Sequence, residues 1–124
     1  MRYSLLLNYS EAGGAELSAE ALAEAQAAFD DYAKSLDSAG VLVAADVLQS
    51  VTATTTVALR NGALQVQDGP FADTKEQLGG IFLIDVPDLD AALAWAEKCP
   101  AAQWGTVEIR PTAVYFSGGQ WNRT

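Results

Sequence analysis

The chain has 124 residues, half of them apolar and 19% charged, which suits one folded domain over residues 1–124 and excludes a disordered chain. Net charge is −9, and the seven cations (Arg2, Lys34, Arg60, Lys75, Lys98, Arg110 and Arg123) are scattered, so direct nucleic-acid binding lacks the basic face it needs. The absence of histidine removes histidine-based triads, proton shuttling near neutral pH and the usual zinc sites, leaving carboxylates, Tyr, Lys or Arg for any catalysis; no cofactor is expected.

In chain order, residues 2–9 read as a strand with Tyr3, Leu5, Leu6 and Leu7 apolar on both faces. Leu5-Leu6-Leu7 is too short for an export signal, and no apolar run has membrane length. A loop over residues 10–17 leads to Ser18, an expected N-cap, after which Leu22, Ala25, Phe29, Tyr32 and Leu36 mark one face of an amphipathic helix stopped by Gly40. Residues 41–48 form a second strand. Residues 54–60 and 63–67 form a hairpin around Asn61-Gly62, whose two-residue turn sets Arg60 opposite Ala63, Leu59 opposite Leu64 and Val57 opposite Val66. The four apolar residues share a face expected to point inward, with Thr56, Ala58, Arg60, Gln65 and Gln67 outward.

Residues 68–80, Asp-Gly-Pro-Phe-Ala-Asp-Thr-Lys-Glu-Gln-Leu-Gly-Gly, combine a forced turn, capping-box spacing and a glycine pair. They predict a turn at Asp68-Gly69-Pro70 with Phe71 anchored in the core, one helical turn from Thr74 or Lys75 to Leu78, and a stop at Gly79-Gly80. A largely apolar strand follows over residues 81–86, broken only by Asp85. Asp88 then caps a helix with Leu89, Ala92, Leu93, Ala96 and Cys99 on its buried face, ended by Pro100. The last strand covers residues 107–115, before a polar tail with Gly118, Gly119 and Trp121. Cys99, the sole cysteine, reads as a small buried thiol, and with no disulfide available the default home is cytoplasmic.

The order βαβ, inserted hairpin, βαβ suits an α+β ferredoxin-like sandwich with both helices on one sheet face. Strands apolar on both sides then need a second cover, which a second copy of the chain would supply as a dimeric α/β barrel with a small-ligand pocket.

Residues 68–76, with Leu78-Gly79-Gly80, Asp88-Leu89-Asp90-Ala91-Ala92 and Val107-Glu108-Ile109-Arg110-Pro111, resemble the DGPF-domain branch of the YCII-related proteins over most of the chain. The resemblance implies a dimeric α+β barrel. Some such proteins are associated with extracytoplasmic-function sigma factors, which implies a transcription-linked accessory role. YCII relatives are suspected enzymes with a His-Asp pair in a pocket, which a chain without histidine cannot reproduce. Of the paired hairpin arginines frequent in the family, Ala58 stands at the first position and Arg60 at the second.

Three functions are therefore expected to compete. The leading one is a cytoplasmic homodimer that binds a small polar or anionic molecule near the signature, with Arg60, Asp68, Lys75, Glu76, Arg110 and Tyr3 as candidate contacts. The second is an enzyme using Asp68 as acid/base, with Tyr3 or Arg110 polarising the substrate. The third is an interaction module meeting a sigma factor or another basic partner.

Overall fold

The computed structural model describes residues 1–124. Eight strands and four helices follow one another as β1 (Arg2–Tyr9), α1 (Glu11–Ala15), α2 (Ala19–Ser38), β2 (Leu42–Val47), β3 (Thr55–Arg60), β4 (Ala63–Asp68), β5 (Gln77–Asp85), α3 (Leu89–Lys98), α4 (Ala101–Trp104), β6 (Thr106–Pro111), β7 (Val114–Ser117) and β8 (Gln120–Arg123). Strands β2, β5, β1 and β6 pair in that order as one antiparallel sheet, while β3–β4 and β7–β8 are separate two-stranded hairpins. The architecture is α+β.

Strand alternation decides which side of the sheet is the core. Tyr3, Leu5 and Leu7 of β1 and Phe82 and Ile84 of β5 are buried against Tyr32 and Leu36 of α2, Ala92 and Ala96 of α3, Cys99, and Ala101 of α4. Ser18 accepts a hydrogen bond from the Ala21 N–H (3.1 Å) and Asp88 from that of Ala91 (2.9 Å), so α2 and α3 begin at the expected caps. The intervening residues of β1 and β5 (Ser4, Leu6, Asn8, Ile81 and Leu83) are half-buried on the opposite face. In register, Asp46, Ile81, Leu6 and Glu108 form one row across that face, and Leu83, Ser4 and Arg110 lie in the next.

Several local expectations are corrected. Residues 11–15 are helical rather than loop, because Ser10 caps the Gly13 N–H at 3.1 Å. No helical turn forms over residues 74–78; a lone turn carries the full cost of nucleation, and Gln77 instead begins β5 opposite Tyr9. Gly79-Gly80 accordingly lies inside the strand. Gly79 is skipped between the Asn8–Leu78 and Leu7–Gly80 pairs, a β-bulge. Pro100 ends α3 but opens α4 at once. The expected strand over residues 107–115 stops at Pro111, and the supposed polar tail is the β7–β8 hairpin, turned by Gly118 and Gly119, both with positive φ.

The β3–β4 hairpin has the expected register and a turn with Asn61 at φ 51° and Gly62 at φ 75°. Its faces are reversed from expectation. Val57, Leu59, Leu64 and Val66 are 57% to 67% exposed, whereas Thr56 and Ala58 are the half-buried pair. Phe71, expected in the core, is 88% exposed. The physical reason is the same for both: the hairpin stands apart from the four-stranded sheet, so its apolar face and the loop beyond it have no wall of their own chain to meet.

Candidate functional site

Strand β1 carries Asn8 on the open sheet face, and β6, antiparallel to it, carries Thr106 opposite Asn8 and Glu108 opposite Leu6. The signature loop descends to this edge and delivers Thr74, Lys75 and Glu76. Together with Val107 they border a polar cleft of about 760 Å³. The Thr106 hydroxyl donates to Glu76 Oε1 at 3.0 Å, tying the loop to the sheet, and Arg110 Nη1 donates to Glu108 Oε1 at 3.3 Å along β6.

The loop takes this path because its polar side chains engage its own backbone, a local alternative to helix. Thr74 Oγ1 donates to the Glu76 carbonyl and Gln77 Nε2 to the Thr74 carbonyl. Gln77 Oε1 meanwhile accepts from the Glu11 N–H at 2.9 Å, and the Glu11 carboxylate accepts from the Val51 N–H at 3.2 Å. The start of β5 is thereby braced against α1 and the stretch after β2.

The candidate residues divide accordingly. Lys75 and Glu76 meet in the cleft, with Arg110 at its edge through Glu108. Asp68 ends β4 opposite Thr55, and Arg60 ends β3 at the turn, so five residue steps, about 17 Å of strand, separate them on a straight hairpin. They do not form one site within the chain. Arg60 Nη1 reaches only the neighbouring Leu59 carbonyl, at 3.2 Å. The turn after β4 is held by other groups: the Gly69 N–H donates to Thr54 (2.7 Å), the Thr56 hydroxyl donates to the Gly69 carbonyl (2.6 Å), and Gly69 has φ 101°. Tyr3 is 3% exposed on the helix side of the sheet, where its hydroxyl faces Met1 Sδ at 3.4 Å, away from the cleft.

Asn8, Thr106 and Glu108 do not stand out as site residues in the sequence alone. Their alternation against Leu5, Leu7, Val107 and Ile109 does signal a second face, but only the pairing of the first strand with the sixth joins them. The remaining titratable groups of note serve structure. Burial pushes the Cys99 thiol up, partly offset by backbone hydrogen bonds from Ala101 and Ala102. Burial likewise raises Tyr32, whose hydroxyl donates to the Trp95 carbonyl at 2.8 Å. No three side chains of metal-ligating type converge. No helix is long and apolar enough to cross a membrane.

A four-stranded antiparallel sheet backed by helices on one face, with a polar cleft beside an Asp-Gly-Pro-Phe loop on the other, defines a small α+β protein built around an uncovered sheet face. The chain belongs to the YCII-related family: the model of the YCII-related domain matches residues 1–114. It is also similar to an uncharacterised protein of Rhizobium meliloti (strain 1021), 45% identical over 73 residues. That match covers 57% of this chain and 59% of the relative's length.

Proposed function

We infer that the chain is a small-molecule-binding protein that works as a cytoplasmic homodimer, its ligand held in the cleft between the signature loop and the open sheet face. The observation that carries this reading is the convergence of Lys75 and Glu76 with Asn8, Thr106 and Glu108 in one cleft of about 760 Å³. That volume is within the range of small-ligand sites. Lys75 supplies a point charge for an anionic group, and the carboxylates and hydroxyls supply acceptors for ligand donors, so the fitting ligand is small, polar and carries an anionic group.

A dimer would complete the same site. The strand order suits a ferredoxin-like sandwich, and a second copy laid over Leu6, Ile81 and Leu83 would turn the open face into the interior of a dimeric α/β barrel and roof the cleft. The exposed apolar face of β3–β4 and the exposed Phe71 give such a copy further surface to bury. A lone unpaired thiol, Cys99, suits a reducing compartment.

The test is a ligand-observed NMR screen of the purified protein with small amino, hydroxy and dicarboxylic acids. Bound compounds should lose about 1.5–3 kcal/mol of affinity in Lys75→Ala, the range for a charged hydrogen bond. Binding that survives unchanged in both Lys75→Ala and Glu76→Gln, or no binding anywhere in the panel, would overturn the reading.

A further inference from the structure

On the helix side of the same strand end lies a second, chemically opposite cavity of about 580 Å³. Asn8 and Tyr9 are consecutive in β1 and face opposite sides of the sheet, so the polar cleft lies under one and this cavity beside the other. Its floor is the sheet row Val47, Gly80 and Leu7, where Gly80 leaves a gap between two apolar side chains. Its roof is the N-terminal half of α2, and α1 and Trp104 close the sides. None of its lining residues carries a formal charge.

The cavity comes from the sequence of α2. The apolar stripe from Leu22 to Leu36 is continuous, yet only its C-terminal members, Tyr32 and Leu36, are buried. Leu22, on the same stripe, is 47% exposed. The elements beneath that half of the helix present Gly13, Gly14, Gly79 and Gly80, four residues without side chains to fill the space. Protein interiors rarely tolerate voids much larger than a water molecule, so an unfilled space of this size in a packing layer would forfeit much contact energy.

The walls are nevertheless fixed. Phe29 and Trp104 meet edge to face with centroids 5.6 Å apart, and Ser10 is committed to capping α1. A Cβ on Gly79 would collide with the Tyr9 ring, which lies directly against the strand backbone there. Half-exposed Leu17, Leu22 and Trp104 leave the mouth apolar. The polar side-chain atoms nearby include the Tyr9 phenol, its pKa raised by burial and then by the Glu11 charge, and the Gln26 amide.

We propose that this cavity is a binding site for a neutral, largely apolar small molecule of roughly one or two rings with a single hydrogen-bonding group. The aromatic walls of Phe29, Trp104 and Tyr9 take the ring faces and edges. The Tyr9 phenol or Gln26 amide takes the polar group. An ionised ligand is disfavoured because no countercharge lines the wall. The site shares no residue with the polar cleft, so it stands or falls independently of the function inferred above.

The test uses N-phenylnaphthylamine, a neutral probe whose fluorescence rises in apolar surroundings. Titration of the intact protein should give saturable binding at one probe per chain. The anionic analogue anilinonaphthalene sulfonate should bind about tenfold more weakly. Ala25→Trp, filling the cavity from the roof, should weaken the neutral probe by about tenfold or more. Leu22→Asp, at a half-exposed position outside the buried core, should do the same by charging the mouth and decides the matter if Ala25→Trp does not fold. Unsaturable binding, binding indifferent to the folded variants, or binding lost only when the exposed leucines Leu59 and Leu64 are replaced by Ser would overturn the proposal.

Discussion

Replacing Leu59 and Leu64 together by Ser tests whether the reversed hairpin is an assembly surface. The two face each other across β3 and β4 and are 65% and 67% exposed in the single chain. Full burial of a leucine contributes about 1.5–3 kcal/mol, so covering the exposed two-thirds contributes about 1–2 kcal/mol each. A two-fold dimer contains each residue twice, so the double substitution should cost at least about 4 kcal/mol of association, about a thousandfold in Kd. The isolated chain loses almost nothing, since neither side chain belongs to its buried core. Light scattering at micromolar concentration should show twice the 13.1 kDa chain mass for the parent and the single-chain mass for the variant, with unchanged far-ultraviolet circular dichroism. A parent of single-chain mass would refute the dimer, and a variant dimerising as tightly as the parent would remove this hairpin from the interface.

Ser18→Ala should cost about 1 kcal/mol in chemical denaturation by freeing the Ala21 N–H, whereas Ser18→Asp should restore most of it. Gly79→Ala should destabilise by about 1–3 kcal/mol because its methyl meets the Tyr9 ring, and a double-mutant cycle should show the cost largely vanishing in a Tyr9→Ala background. Stability should also fall in alkali. The Cys99 thiol is raised from its ordinary 9.0, so the unfolded chain releases that proton first and folding loses ground as pH climbs past about 9. Tyr9 and Tyr32, raised from 10.0, extend the decline above pH 10. Denaturation midpoints measured across this window should fall for the parent, and Cys99→Ala should flatten the first part.

The features legible in the sequence are those enforced by short-range chemistry. Ser18 and Asp88 cap their helices, Gly40 takes φ 73°, and Asn61-Gly62 sets every pair of the β3–β4 ladder. Signals failed where a long-range partner competed with a local one. The capping-box spacing of residues 73–77 was overridden once Gln77 paired with Tyr9 in the sheet and its side chain bridged to Glu11. The signature points to Lys75 and Glu76, but Asn8, Thr106 and Glu108 come together only through the pairing of β1 with β6, 98 residues apart in sequence at Asn8–Thr106. Asp68 comes close to Arg60 only if the hairpin folds over it, and the β3–β4 ladder sets them at opposite ends, five residue steps apart.

The glycine pair and the charged pair of the signature divide their work between the two sheet faces. Lys75 and Glu76 arrive at the open face, where Thr106 fixes Glu76. Two residues beyond Gln77, Gly79 enters as a bulge and Gly80 resumes the ladder opposite Leu7, both bordering the apolar cavity on the helix side. A side chain at Gly79 would displace Tyr9, and one at Gly80 would press on the Asp46 carbonyl at 3.3 Å. The same short segment thus supplies polar groups to one face and withholds bulk from the other. The bulge links the two tasks, since a shift in the register of β5 there would move Glu76 relative to Thr106 and reshape the cavity floor together.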